Sequence, residues 1–215
     1  NPVSAEELEP IKNNVKALVW HKIGEVAVHQ TDAIIIAAFI NVTVLGAVTN
    51  YNLIINSITL FLTVTLSAAL GSFGNAIATS SPEDVYRNYK TYRLVAFWIY
   101  GLASIGMYVL LTPFIGLWIG EEFAISNAVI LVILINFYMS GHRATIITVR
   151  AAGGLWVQDK YLPIIQAVLN LVVSIVLVQS IGLIGVFIGT IAQGILGSIY
   201  RPFIVYPRLF NASAW

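Results

Sequence analysis

Lys22, Glu25, His29 and Asp32 stand at steps of three, four and three residues in the apolar stretch KIGEVAVHQTDAIIIAAFI, residues 22–40. On an α-helix that spacing puts all four on one face, opposite Ile23, Ala27, Ile34 and Ala38. A charge near a bilayer centre costs about 2.5–3.5 kcal/mol on insertion scales, so such groups face a bundle interior or a wet cavity. A carboxylate and an imidazole there change charge as their wetting changes, which is the chemistry of coupling to protons or sodium. A plain interhelical hydrogen bond, worth about 0.6 kcal/mol in membranes, is the alternative for Asp32. Serine or asparagine would supply that bond with less desolvation, so Asp32, His29 and Glu25 are the candidate ion-coupling residues. Glu25 and Lys22 also fit a simple i, i+3 ion pair.

Further polar stripes recur at helical spacing. Asn52, Asn56, Thr59, Thr63 and Ser67 form the second, and Asn136, Ser140, Arg143 and Arg150 the third, interrupted by Ile147. Gln166, Asn170 and Ser174 form a fourth, weaker one. Arg143 lies seven residues before Arg150, about 10 Å deeper along a helix. Snorkelling of its stem is one reading; a guanidinium that grips a phosphate with its planar fork of donors is the other. His142 points elsewhere on the helix and reads as structural. Each stripe alone fits interhelical hydrogen bonding, whereas all four together point to one shared wet cavity. Arg143, Lys22 at the cavity mouth, Asn52, Asn56 and Thr59 are the candidate substrate-binding residues.

The elements that position these residues are membrane helices. Hydrophobic residues make up 58% of the 215-residue chain and charged residues 10%, far below the roughly 25% charged content of globular domains. The chain has no cysteine, which excludes a disulfide framework or a thiol nucleophile. No phosphate-binding glycine loop, metal-ligand cluster or nucleic-acid face stands out, which argues against an enzyme and against any cofactor beyond a coupling ion. The expected architecture is an all-α polytopic domain over residues 1–215 with six spans, about 17–40, 47–78, 82–118, 125–149, 163–180 and 184–200. Ser81, Pro82, Glu83 and Asp84 give the third span its start. Tyr86, Tyr89 and Tyr92 alternate with Arg87, Lys90 and Arg93 as expected of headgroup anchors. Gly71 and Gly74 loosen the second span, Gly153 to Lys160 form an interfacial stop, Gly185 and Gly189 give a close-packing face, and Arg201 with Pro202 closes the last span. With these spans all eleven Lys and Arg residues fall at or near one side. The positive-inside rule makes that side, and both chain ends, cytoplasmic.

The segments KALVWHKIGEVAVHQTDAIIIAAFI, GAVTNYNLIIN, SFGNAIAT, PFIGLWIG and NLVVSIVLVQSIGLIGVFIGT resemble, in this order, the Wzx-like polysaccharide flippases of the MOP superfamily, especially those of Gram-positive bacteria. The resemblance includes the pair Thr31 and Asp32; it departs where Ala38 replaces a polar residue and where GAVTNY stands for the commoner GLYSNY. It implies one lobe of a MATE-like fold, from the seventh helix onward, with the chain a C-terminal-half fragment missing its N-terminal lobe. It also implies alternating access that carries a lipid-linked oligosaccharide, an undecaprenyl-pyrophosphate repeat unit, across the cytoplasmic membrane of a bacterium. The expected partners are that substrate, membrane lipids and the missing lobe, with no nucleic acid. A MATE-type exporter of cationic drugs, using Glu25 and Asp32, and a non-transporting scaffold for glycan enzymes remain the alternatives.

Overall fold

A computed structural model describes residues 5–214, without the side chains of residues 5–8, 10, 11, 25 and 29. Seven helices follow in order: α1 Ala5–Phe39, α2 Val42–Ser67, α3 Ala69–Thr79, α4 Pro82–Trp118, α5 Asn127–Ala152, α6 Leu162–Ile181 and α7 Leu183–Val205. No strand occurs among the described residues. Val42–Thr79, Pro82–Trp118, Asn127–Ala152, Leu162–Ile181 and Leu183–Phe210 are each long and apolar enough to cross a membrane. The chain is an all-α polytopic membrane protein.

Local chemistry explains where the helices depart from expectation. Helix α1 begins well before residue 17, because Ala, Glu, Leu and Lys upstream favour helix although the Glu, Lys and Asn residues there make the segment polar. The first turn is tighter than residues 41–46: Asn41, in extended conformation, accepts the Val44 N–H at 2.7 Å and starts α2 at once. The second span breaks at Ala68, before the glycines at 71 and 74. Thr59, Thr65 and Ser67 each bond back to a carbonyl of the preceding turn, a habit that bends helices. Ser81 caps α4 through the Asp84 N–H at 3.2 Å, with Pro82 next, as the residue types predict.

Helix α7 does not stop at Arg201 and Pro202. It runs to Val205 and widens into a π-turn, Tyr206–Phe210, since proline removes only its own N–H from the ladder. Phe210 stacks on Tyr89 with centroids 5.1 Å apart, and Tyr206 meets Tyr86 at 5.8 Å. Tyr89 and Tyr92 are therefore buried, and the Tyr92 hydroxyl donates to Leu66 O at 3.0 Å. Only the basic half of that run, Arg87, Lys90 and Arg93, is exposed. Tyr86 and Tyr89 bind α4 to the Tyr206–Phe210 turn, and Tyr92 binds it to Leu66 and Phe73, instead of anchoring it in headgroups.

Helices α6 and α7 form the tightest pair. Gly182, with φ 60°, turns the chain between them in one residue. A Cβ at Gly185 would meet Val178 N at 2.7 Å, and one at Gly189 would meet Asn170 O at 3.0 Å. The expected glycine face is thus in use. Helix α1 packs on α6, α5 on α7, and α4 on α5, while α2 bridges α1, α4 and α5 more loosely. The outer surface is apolar, with Leu117 91% exposed and Phe61 and Val42 each 71%, as lipid contact requires.

Candidate functional site

A cavity of about 950 Å³ lies between α1, α2, α5 and α7, with Tyr100 of α4 and Gln166 of α6 completing its wall. Three of the expected stripes meet there. Asp32 comes from α1, Asn52, Asn56, Thr59 and Thr63 from α2, and Asn136, Ser140, Arg143 and Arg150 from α5. Ile147 shares the wall with them, so it interrupts the pattern without turning the helix away. Ser67 lies beyond the cavity and bonds back to Val64 O at 2.9 Å. Lys22 is exposed and does not line the cavity; its neighbour His21 does. The side chains of Glu25 and His29 lie outside the described residues.

The fourth stripe has a different role from the one its spacing suggested. Asn170 and Ser174 are fully buried, and neither lines the cavity. Ser174 donates to Val186 O at 3.0 Å, and Asn170 Nδ2 donates to Thr190 Oγ1 at 3.1 Å. These groups bind α6 to α7, and only Gln166 reaches the wall.

Asp32 is the point where α1, α6 and α7 join. Its Oδ2 accepts the Thr190 hydroxyl at 2.7 Å and its Oδ1 accepts Asn170 Nδ2 at 3.4 Å, while Thr31 Oγ1 donates to Asn170 Oδ1 at 2.9 Å. A half-buried carboxylate held by a hydroxyl and an amide N–H, and open to a cavity, can exchange a proton. Arg143 Nη2 donates to Asn136 Oδ1 at 3.3 Å, and its Nη1 is buried with no hydrogen-bond partner among the described residues. The guanidinium points sideways, packed where a Cβ on Gly194 of α7 would stand, and does not snorkel along its own helix. His142 stays outside the cavity against Tyr138, centroids 4.8 Å apart, as expected.

At the end of the cavity toward residues 153–161 stands a cluster that the sequence reading did not assemble. Asp159 is 1% exposed and accepts from Arg150; Arg201 Nε lies 3.4 Å from the same oxygen, and His21 Nε2 lies 3.1 Å from the other. Arg150 also lies over the Trp156 ring at 4.5 Å, and Arg201 Nη2 donates to Gln166 Oε1 at 3.3 Å. Burial raises the Asp159 carboxyl pKa, and His21 with the Arg150 charge more than offsets it, leaving the group below its ordinary value. Asp159 is therefore a buried counter-ion and not an interfacial residue. Thr190, Gln193 and Arg201 share the cavity wall and fall with Gly197 at steps of three, four and four. That spacing is a polar stripe legible in the sequence, running beside the close-packing glycines Gly185 and Gly189.

Among the described residues the cavity lining carries three arginines, Arg143, Arg150 and Arg201, and one carboxylate, Asp32. No group of three or more His, Cys, Asp or Glu suited to a metal ion occurs among them. Fold and site together define a multi-pass membrane protein with a polar, arginine-bearing cavity inside an apolar bundle. No protein-family model, curated protein or solved structure matches the chain.

Proposed function

We infer that this chain is one lobe of a MATE-like transporter that flips a lipid-linked oligosaccharide, an undecaprenyl-pyrophosphate repeat unit, across the cytoplasmic membrane of a bacterium. The observation that carries the reading is the buried Arg143 guanidinium on the wall of a cavity also lined by Asn52, Asn56 and Thr59. Arginine suits a phosphate oxygen, and neutral amides and hydroxyls suit sugar hydroxyls. The lipid tail stays in the bilayer at the loosely packed α2 side. Asp32 is the coupling group, exchanging a proton or sodium ion as its wetting changes. Both ends of the chain lie on the cytoplasmic side, in keeping with the basic residues gathered near His21, Arg150, Arg201 and Arg208. Three arginines on the wall disfavour a cationic drug as cargo, since an uncompensated like charge in a low-dielectric cavity is repelled.

The test is complementation. In cells lacking the gene, wild type restores surface polysaccharide. Arg143→Ala leaves the lipid-linked intermediate on the cytoplasmic leaflet. A null strain with normal glycan would sink the reading, and restoration by Arg143→Ala would remove Arg143 from it.

A further inference from the structure

Asp159 stands behind the cavity wall while the two arginines it holds stand on it. Both guanidiniums approach a single oxygen, Oδ2, and His21 Nε2 lies 3.1 Å from the other, which accepts no hydrogen bond among the described residues. One carboxylate thus serves two permanent cations. Arg150 and Arg201, 2% and 6% exposed, each keep a buried Nε–H without a hydrogen bond among the described residues, as Arg143 does at Nη1. Glycines make room for these heads. A Cβ at Gly197 would lie 2.6 Å from Arg201 Nη1, and Gly194 accommodates Arg143 in the same way. Among the described residues the cavity therefore offers more N–H donors and more positive charge than are paired there.

We propose that Asp159 is a built-in counter-ion that occupies Arg150 and Arg201 while the cavity is empty and yields them to a diphosphate anion. This deepens the proposed function and rests on its diphosphate-bearing substrate. A diphosphate presents several oxygens to forked donors, and charge-assisted bonds of that kind are about twice as strong as neutral ones. It competes with Asp159 for the same N–H groups. Once they turn to the ligand, the 153–161 connection loses its ionic tie and the Arg150–Trp156 contact, and keeps the apolar packing of Leu155. Ligand arrival is thereby linked to release of a segment that joins α5 to α6. Linkage of this type is reciprocal: whatever weakens Asp159 as a competitor strengthens anion binding.

The experiment is calorimetric titration of the purified full-length protein with inorganic pyrophosphate and, in parallel, farnesyl diphosphate. Asp159→Asn keeps the shape and removes the charge, so it binds pyrophosphate about tenfold tighter than wild type, within the usual range of site coupling. A folded Asp159→Asn protein with unchanged or weaker affinity overturns the counter-ion. If Arg143→Ala still abolishes binding in that case, the diphosphate reading survives alone. Absence of binding by either probe to wild type overturns both. Should the asparagine variant not fold, hydrogen exchange on wild type decides. Saturating pyrophosphate speeds exchange of the 155–161 amides if Asp159 is displaced, and unchanged protection overturns the proposal. Tighter binding of farnesyl diphosphate than of pyrophosphate marks a lipid-borne headgroup, and equal binding marks recognition of the diphosphate alone.

Discussion

Among the described residues, two carboxylates tie helices of this bundle, and their described partners differ in kind. Asp32 lines the cavity and is bonded to Thr190 and Asn170, both neutral, at 2.7 and 3.4 Å. Asp159 is shut behind the wall and is held by Arg150, Arg201 and His21. Neutral donors in a membrane give bonds of a fraction of a kcal/mol, so the bonds from Thr190 and Asn170 to Asp32 are each weak. Buried ion pairs cost several kcal/mol to break from one side, so the Asp159 junction yields only to another anion.

The comparison breaks most readily at Asp159. Asp159→Ala leaves two buried arginines on one cavity wall and lowers stability by about 3–5 kcal/mol, read as a large fall in melting temperature in detergent. An unchanged melting temperature would show that the arginines are already solvated. The same residue sets the acid limit. Its folded-state value lies below the ordinary 3.8, so its contribution is full above that value and disappears as pH falls through the lower folded-state value. Melting curves of wild type and Asp159→Asn should therefore converge toward low pH; parallel curves would contradict the assignment.

Gly189→Ala tests the helix pair that holds the Asp32 junction. The added methyl meets Ser174 Oγ and Asn170 O, and overpacking of this kind costs about 1–3 kcal/mol, again visible in thermal unfolding. Thr190→Val sharpens the contrast on the neutral side. It removes one hydroxyl donor to Asp32 at about 0.6–1.7 kcal/mol and shifts the pH or sodium dependence of export. A fall as large as that of Asp159→Ala would erase the distinction between the two junctions. Asn56→Ala has the smallest expected effect on stability, within about 0.5 kcal/mol for an exposed side chain. Polysaccharide export in complemented cells should nevertheless drop, and full export would remove Asn56 from the substrate path.

Much of the cavity was legible because helical spacing is a local property. Asn52, Asn56 and Thr59 lie on one face of α2 whatever packs against it, and the same holds for Asn136, Ser140, Arg143 and Arg150 on α5. What a stripe faces is not local. Asn170 and Ser174 share the period of a cavity stripe, yet glycines on α7 bring that helix so close that both are consumed as glue. Lys22 obeys the spacing of its stripe and still lies outside the cavity, one residue from His21, which lines it.

The amino-acid sequence by itself determined the membrane class, the order of the apolar helices, the capped start at Ser81 and the gathering of basic residues near alternate helix ends. Each depends on composition or on contacts within a few residues. The expected six spans became seven helices among the described residues, with five stretches apolar enough to cross a membrane. Only the tertiary structure decided that Arg150, Asp159, Arg201 and His21 meet, since up to 180 residues of chain separate them and no periodicity links a loop to three helices. It also decided which polar faces stay wet. That choice follows from how closely two backbones approach, and a glycine opposite a serine sets that distance only once the two helices are side by side.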